Sequence, residues 1–112
     1  MRSDHERLLD IRDAIGRIER HTDAGRKSFE TNELIQTWVV HHLQIIGEAA
    51  SRVSSELRDG PPEIPWAGII GMRHILVHDY FGIDVERCWS VVERDLPLLE
   101  AQIDAILSVS DS

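Results

Sequence analysis

The sequence predicts an all-α protein, an antiparallel bundle of four to five helices. Apolar residues recur at spacings of three and four, no segment sustains a two-residue alternation, and Asp59-Gly60-Pro61-Pro62 is the one clear interior loop. The first helix reads from Ser3, which stands three residues before Glu6 in the spacing of a capping box, and Leu8, Ile11, Ile15 and Ile18 mark its buried side. It should end near Asp23 to Gly25, and Ala24 to Glu30 reads as a polar link. A second start signal at Thr31 and Asn32 opens a long helix, with Leu34, Trp38, Ile45, Ala49, Val53 and Leu57 on its buried face. Two prolines end it at the 59–62 loop, because they lack amide protons and rotational freedom.

Pro65 suits the first turn of a third helix, expected from Trp66 to about Tyr80, with Phe81-Gly82-Ile83-Asp84 as its stop and the next cap. Val85, Trp89, Val92, Leu96, Leu99, Ile103 and Ile106 then form the seam of a last helix. Pro97 lies in that seam, which predicts a kink or a short break with Asp95 capping the second piece. Trp38, Trp66 and Trp89 all fall on predicted buried stripes, and Cys88 reads as a small core residue.

With 112 residues, 42% of them hydrophobic, the chain has enough apolar material for one core and too little for two, so residues 1–112 are read as a single domain. Cys88 is the sole cysteine and the first turn is crowded with Arg2, Asp4, His5, Glu6 and Arg7 rather than an apolar signal segment. A cytoplasmic protein is expected. No apolar run approaches the roughly 20 residues that cross a bilayer, so no membrane contact is expected. The net charge of −8 argues against a general nucleic-acid surface, so any RNA contact must be local. Lys27 is the only lysine, and arginine is the better side chain for forked phosphate contacts.

The end of the third helix carries a polar cluster, Arg73-His74-Ile75-Leu76-Val77-His78-Asp79-Tyr80, threaded through an apolar helix. Burying an arginine and two histidines is costly unless they are paired or face a wet cleft, so the cluster is a candidate site. On an ideal helix Arg73 and Tyr80 lie about 20° apart and His78 about 140° from Arg73. Arg73 and His78 would therefore converge across a dimer axis or at a loosened helix end. A near-neutral histidine can take the 2′-hydroxyl proton of a ribose, and an arginine fork can hold the phosphate as charge builds on it. The two suffice for RNA cleavage without a metal.

An arginine, four residues, a histidine, one residue and a tyrosine form a pattern that resembles the signature of the HepT-like family within the HEPN fold. Ile45-Ile46-Gly47-Glu48-Ala49-Ala50, Trp66 with Ile69 to Met72, Tyr80 to Asp84 and Asp95-Leu96-Pro97 resemble that family in the same order. The resemblance implies a homodimeric, metal-independent ribonuclease toxin acting on RNA, tRNA or mRNA, with Arg73 and His78 catalytic and no cofactor. It also implies a partner, an MntA-type nucleotidyltransferase antitoxin that transfers AMP to the motif tyrosine, Tyr80 by position. His74, Asp79 and Glu48 are the supporting candidates. The residue after the arginine departs from the family's usual asparagine and is His74 here.

Other readings stand beside this one. Arg73 and His78 could be a structural pair at a helix terminus. His74 and His78 have the spacing of two metal ligands on one helix face, though without a convincing third among Glu48, His41 and His42. A non-catalytic nucleotide- or partner-binding module is the competing function, and the −8 charge leans towards it slightly. His41 and His42 adjoin on the long helix, so at least one should face solvent or a partner.

Overall fold

Ser3 caps the first helix as its sequence implies, accepting from the amide of Glu6 at 3.2 Å. The structure is a computed structural model; it describes residues 3–75, 77–78 and 82–110, and for 75, 77, 78, 82 and 110 the backbone alone. Helix α1 spans Asp4–Thr22 and buries Leu8, Ile11, Ile15 and Ile18. Gly25, at φ 97°, turns the chain in a conformation that L side chains rarely adopt. The expected polar link then holds a short helix, α2 (Arg26–Glu30), which places Phe29 fully inside the core against Trp89 at 5.5 Å between ring centroids. A lone aromatic in five residues gives no periodicity, so this element could not be read from spacing.

Helix α3 (Glu33–Ser51) is capped by Asn32, whose Oδ1 accepts from the amides of Leu34 and Ile35. The single long helix expected here is two. The chain leaves the helix at Arg52 and restarts as α4 (Ser55–Asp59), because Ser54 offers a new cap to the amide of Leu57 and is itself held by Asp4 across the bundle. At the other end of α3, Leu34 is 82% exposed and Trp38 is only half-buried, so the buried stripe begins later, at Val39. Trp38 sits at the bundle's edge, where its Nε1 donates to the Arg17 carbonyl at 3.0 Å. Contacts from Trp38 to Arg17 and from Ser54 to Asp4 join opposite ends of α1 and α3, which makes the pair antiparallel.

Helix α5 (Trp66–Ile75) stops about five residues before the predicted end. The backbone then extends, and β1 (Val77–His78) pairs antiparallel with β2 (Gly82–Ile83), Val77 opposite Ile83 and His78 opposite Gly82. Val77 and Ile83 are β-branched and suit a paired extended strand better than a helix end. Asp84 caps α6 (Val85–Ser90) through the amide of Arg87 at 3.1 Å, as expected.

No break follows at Pro97. Val91–Asp95 widen into a π turn, in which the Leu96 amide reaches the Val91 carbonyl, and α7 (Leu96–Ser110) continues from it. Proline has no amide to give and its ring crowds the carbonyl four residues back, so a widened turn before it relieves the clash without ending the helix. Asp95 lies inside the turn and caps nothing. After the turn, Leu96, Leu99, Ile103 and Leu107 are buried, with Leu107 rather than Ile106 closing the seam. The protein is an all-α antiparallel bundle, with α1, α3, α5 and the α6–α7 rod around one apolar cluster. Among the described residues no helix is long and apolar enough to cross a membrane.

The α1–α7 seam carries one pH-sensitive contact. Burial, then a hydrogen bond with Glu19, then the charges of Glu19 and Asp104 push the Glu100 carboxyl up to about 7. Arg12 stands at 3.8 Å from Asp104 and offsets part of this repulsion. A carboxyl whose folded-state pKa is raised favours the fold while protonated, and that stability is lost as pH rises from 4.5 through about 7. Glu100→Gln, which keeps the neutral hydrogen-bonding group, is expected to unfold at a higher temperature than the parent at pH 8 and at the same temperature at pH 4. Thermal melts by circular dichroism across that range measure it, and parallel curves for the two proteins would contradict the assignment.

Candidate functional site

A glycine brings two helices together where the polar cluster begins. A Cβ built on Gly47 would lie 3.2 Å from the Arg73 Cβ, the Arg73 amide nitrogen and the Ile69 carbonyl oxygen. Only a residue without a side chain lets α3 approach α5 this closely. The next residue, Glu48, then reaches Arg73, and its Oε2 accepts from the Arg73 Nη1 at 2.7 Å. Its other oxygen accepts from the Arg52 Nε at 2.9 Å. Hydrogen bonds from Arg52 and then Arg73 hold the Glu48 carboxyl below its ordinary range, so it stays charged at neutral pH.

Arg73 has further restraints. Its Nη1 lies 3.4 Å from the Ser51 Oγ, and its Nε donates to the His74 Nε2 at 3.2 Å. Ser51 in turn donates to the Glu48 carbonyl, and its own carbonyl accepts from Arg58 at 2.7 Å. Among the described residues no hydrogen bond engages the Arg73 Nη2, and the side chain is about one-third exposed. The guanidinium is held through Nε and Nη1, and its Nη2 is left to donate to a ligand.

Of the residues expected to form the site, the structure brings Arg73, His74 and Glu48 together. The backbone of His78 lies in β1, two residues beyond the observed end of α5, so the 140° separation of an ideal helix does not apply to it. Its side chain lies outside the described residues, as do Asp79 and Tyr80 entirely. Ser51 and Arg52 were not singled out from the sequence. The signal was there for Arg52, which stands four residues after Glu48 on one helix and so on the same face.

His41 is exposed and His42 is buried, with its Nδ1 2.8 Å from the Trp38 carbonyl and its ring 4.3 Å from that indole. His42 is thereby engaged within the edge of the bundle. Among the described residues no three histidine, cysteine or acidic side chains gather as a metal site. Burial pushes the Cys88 thiol up to about 12, so it stays protonated as an inert core group.

This arrangement has relatives. Residues 11–106 match the family described as ribonuclease HepT-like. The chain belongs to the HepT-like ribonuclease family. A Thermococcus cleftensis protein, named as a probable ribonuclease HepT, is 36% identical over 106 residues, covering 94% of this chain and 96% of that one. The Methanocaldococcus jannaschii protein MJ1380, provisionally named an RNase, is 35% identical over 89 residues, 80% of this chain and 82% of its own. A longer protein of the same organism, MJ0434, joins a γ-glutamylcyclotransferase to a provisionally named RNase in its name. It is 36% identical over 99% of this chain, which spans 51% of its length. No solved structure matches.

Proposed function

We propose that this HepT-like chain is the toxin of a toxin–antitoxin pair, a homodimeric, metal-independent endoribonuclease with Arg73 and His78 as its catalytic residues. The observation that carries the reading is Arg73 itself, an arginine held through Nη1 by Glu48 at 2.7 Å and through Nε by His74, with Nη2 to spare for a phosphate. His78 follows it by five residues, at the point where helix has given way to strand.

In this reading His78 accepts the proton of a ribose 2′-hydroxyl, and the 2′-oxygen forms a bond to the adjacent phosphorus. Arg73 holds the non-bridging oxygens as they gain charge. The bond from phosphorus to the 5′-oxygen breaks, and that oxygen takes a proton from a protonated histidine, supplied by the twofold-related copy of His78. The products are a 2′,3′-cyclic phosphate and a 5′-hydroxyl. His74 and Asp79 support the site, and Glu48 positions Arg73.

Control falls to Tyr80. A cognate MntA-type nucleotidyltransferase antitoxin transfers AMP from ATP to its hydroxyl and releases pyrophosphate. The added phosphate places negative charge beside Arg73 and His78 and repels the RNA backbone. Coexpression with the neighbouring nucleotidyltransferase, followed by intact mass, tests this. A shift by one or more AMP units, absent in Tyr80→Phe, is the expected result, with RNA cleavage by the unmodified protein persisting in chelator. No shift in either protein removes adenylylation, and loss of cleavage in chelator removes metal independence. A chain that binds its partner but leaves all RNA intact would be the non-catalytic module that its −8 charge leans towards.

A further inference from the structure

The carboxylate that holds Arg73 also forms the end of a groove between α1 and α3. Arg7, Asp10, His41, Gln44 and Glu48 line a cavity of about 340 Å³. Past Asp10, His41 and Ile45 it continues into a second cavity of about 280 Å³, which reaches Arg17. The size is that of small-molecule sites, and Ile45 and Ala49 add apolar surface between the polar side chains.

Four features say what it would take. Asp10 and Glu48 set two carboxylates in the walls, which repel a phosphate and favour a group with hydrogen-bond donors. A carboxylate has about four acceptor positions, so one already in contact still accepts more. Arg7 also lines the groove, and the terminal nitrogens of its guanidinium can donate to an acceptor on the ligand. His41 is exposed at the lip, with its ring edge-on to His42 at 5.1 Å between centroids, and can stack on a planar ring. The exposed Gln44 amide supplies both a donor and an acceptor.

We infer that this groove is a nucleobase site for the nucleotide next to the cleaved phosphate, and that it prefers guanine. Guanine alone among the four bases sets two adjacent N–H donors, on N1 and N2, beside an acceptor, O6. The donor pair matches a carboxylate and the O6/N7 edge matches an arginine. Uracil offers one donor between two acceptors, and adenine and cytosine lack the second ring donor. Glu48 borders the groove and bonds Arg73 at 2.7 Å, so a base seated there belongs to a nucleotide adjoining the one whose phosphate Arg73 holds. The inference rests on the ribonuclease reading and names the sequence that such an enzyme would choose.

Two measurements test it. The four ribonucleoside 3′-monophosphates are titrated separately into the protein and followed by amide chemical shifts. Oligoribonucleotides that differ only at the bases flanking one scissile bond are then compared as substrates. Guanosine 3′-monophosphate is expected to bind about 10-fold tighter than the other three, with shifts confined to α1 and α3, and a guanine flank to lower KM by a similar factor. Gln44→Ala and Asp10→Asn should each reduce that preference while leaving kcat on non-guanine substrates unchanged. Four nucleotides binding alike, none binding, or a preference untouched by both variants would overturn the inference. Guanine-selective binding by a protein that cuts no RNA would instead refute the ribonuclease reading and keep the base site.

Discussion

Arg73→Ala is expected to lower RNA cleavage about 100- to 1000-fold, the cost of removing one preorganised donor to a developing oxyanion. Stability should change far less. The Arg73–Glu48 pair is about one-third and one-half exposed at its two side chains, so water screens most of what it adds to stability. Arg73→Lys separates positioning from charge, since lysine keeps the charge but cannot bind Glu48 along one edge and a phosphate along another. It should recover a small part of the loss. Glu48→Gln keeps a neutral acceptor for Arg73 and should cost about 10-fold in kcat with KM little changed. Steady-state cleavage of one defined RNA by the four proteins, with urea denaturation of each, provides the comparison. An Arg73→Ala protein with near-parental cleavage would sink the assignment, and a loss of cleavage matched by unfolding would make Arg73 structural.

Most of the bundle is legible in the sequence because its long helices bury regular stripes. Leu8 to Ile18 in α1, and Trp89 to Ile103 across α6 and α7, are inside as their spacing requires. What escaped was decided by single contacts rather than by period. Phe29 anchors a helix of five residues, too short to repeat. Ser54 divides the long second helix because Asp4, fifty positions earlier, accepts both its amide and its hydroxyl proton. Pro97 was read as a kink or a short break capped by Asp95, while the widened turn at Val91–Asp95 absorbs it, and no spacing rule anticipates that choice. The third helix illustrates tertiary override. Its apolar pattern runs on past Ile75, but pairing of Val77 with Ile83 takes the backbone into a strand.

The site divides along the same line. Arg73 and His78 were singled out from residue type and spacing, and Glu48 from the motif around it, but nothing in the sequence gave the distance between α3 and α5. That distance depends on Gly47. The residue's lack of a side chain is legible, whereas its facing Arg73 and Ile69 is a property of the packed pair. Sequence spacing can name the members of a site on one helix, and it cannot say which residue of a second helix will hold them.

Gly47→Val is therefore expected to have the largest effect of any substitution outside the motif. The Cβ alone would meet three atoms at 3.2 Å, two of them backbone, so relief requires α5 to move rather than a side chain to turn. Overpacking of this kind costs about 1–3 kcal/mol. Gly47→Ala sets that strain against about 1 kcal/mol of helix propensity gained, and should end near the parent in stability. Activity should not follow stability. A shift of α5 by a few tenths of an ångström lengthens the 2.7 Å bond from Arg73 to Glu48, so both variants should cleave RNA more slowly, and Gly47→Val nearly not at all. Gly71→Ala is the control, because a Cβ there meets nothing within 4 Å on the same helix as Arg73. It should gain up to about 1 kcal/mol and cleave normally. Urea midpoints and cleavage rates for the three variants decide the matter. If Gly47→Val keeps parental cleavage, the close approach of α3 and α5 does not seat Arg73; if Gly47→Ala is slow while as stable as the parent, the glycine is there to bring Glu48 within reach of the arginine.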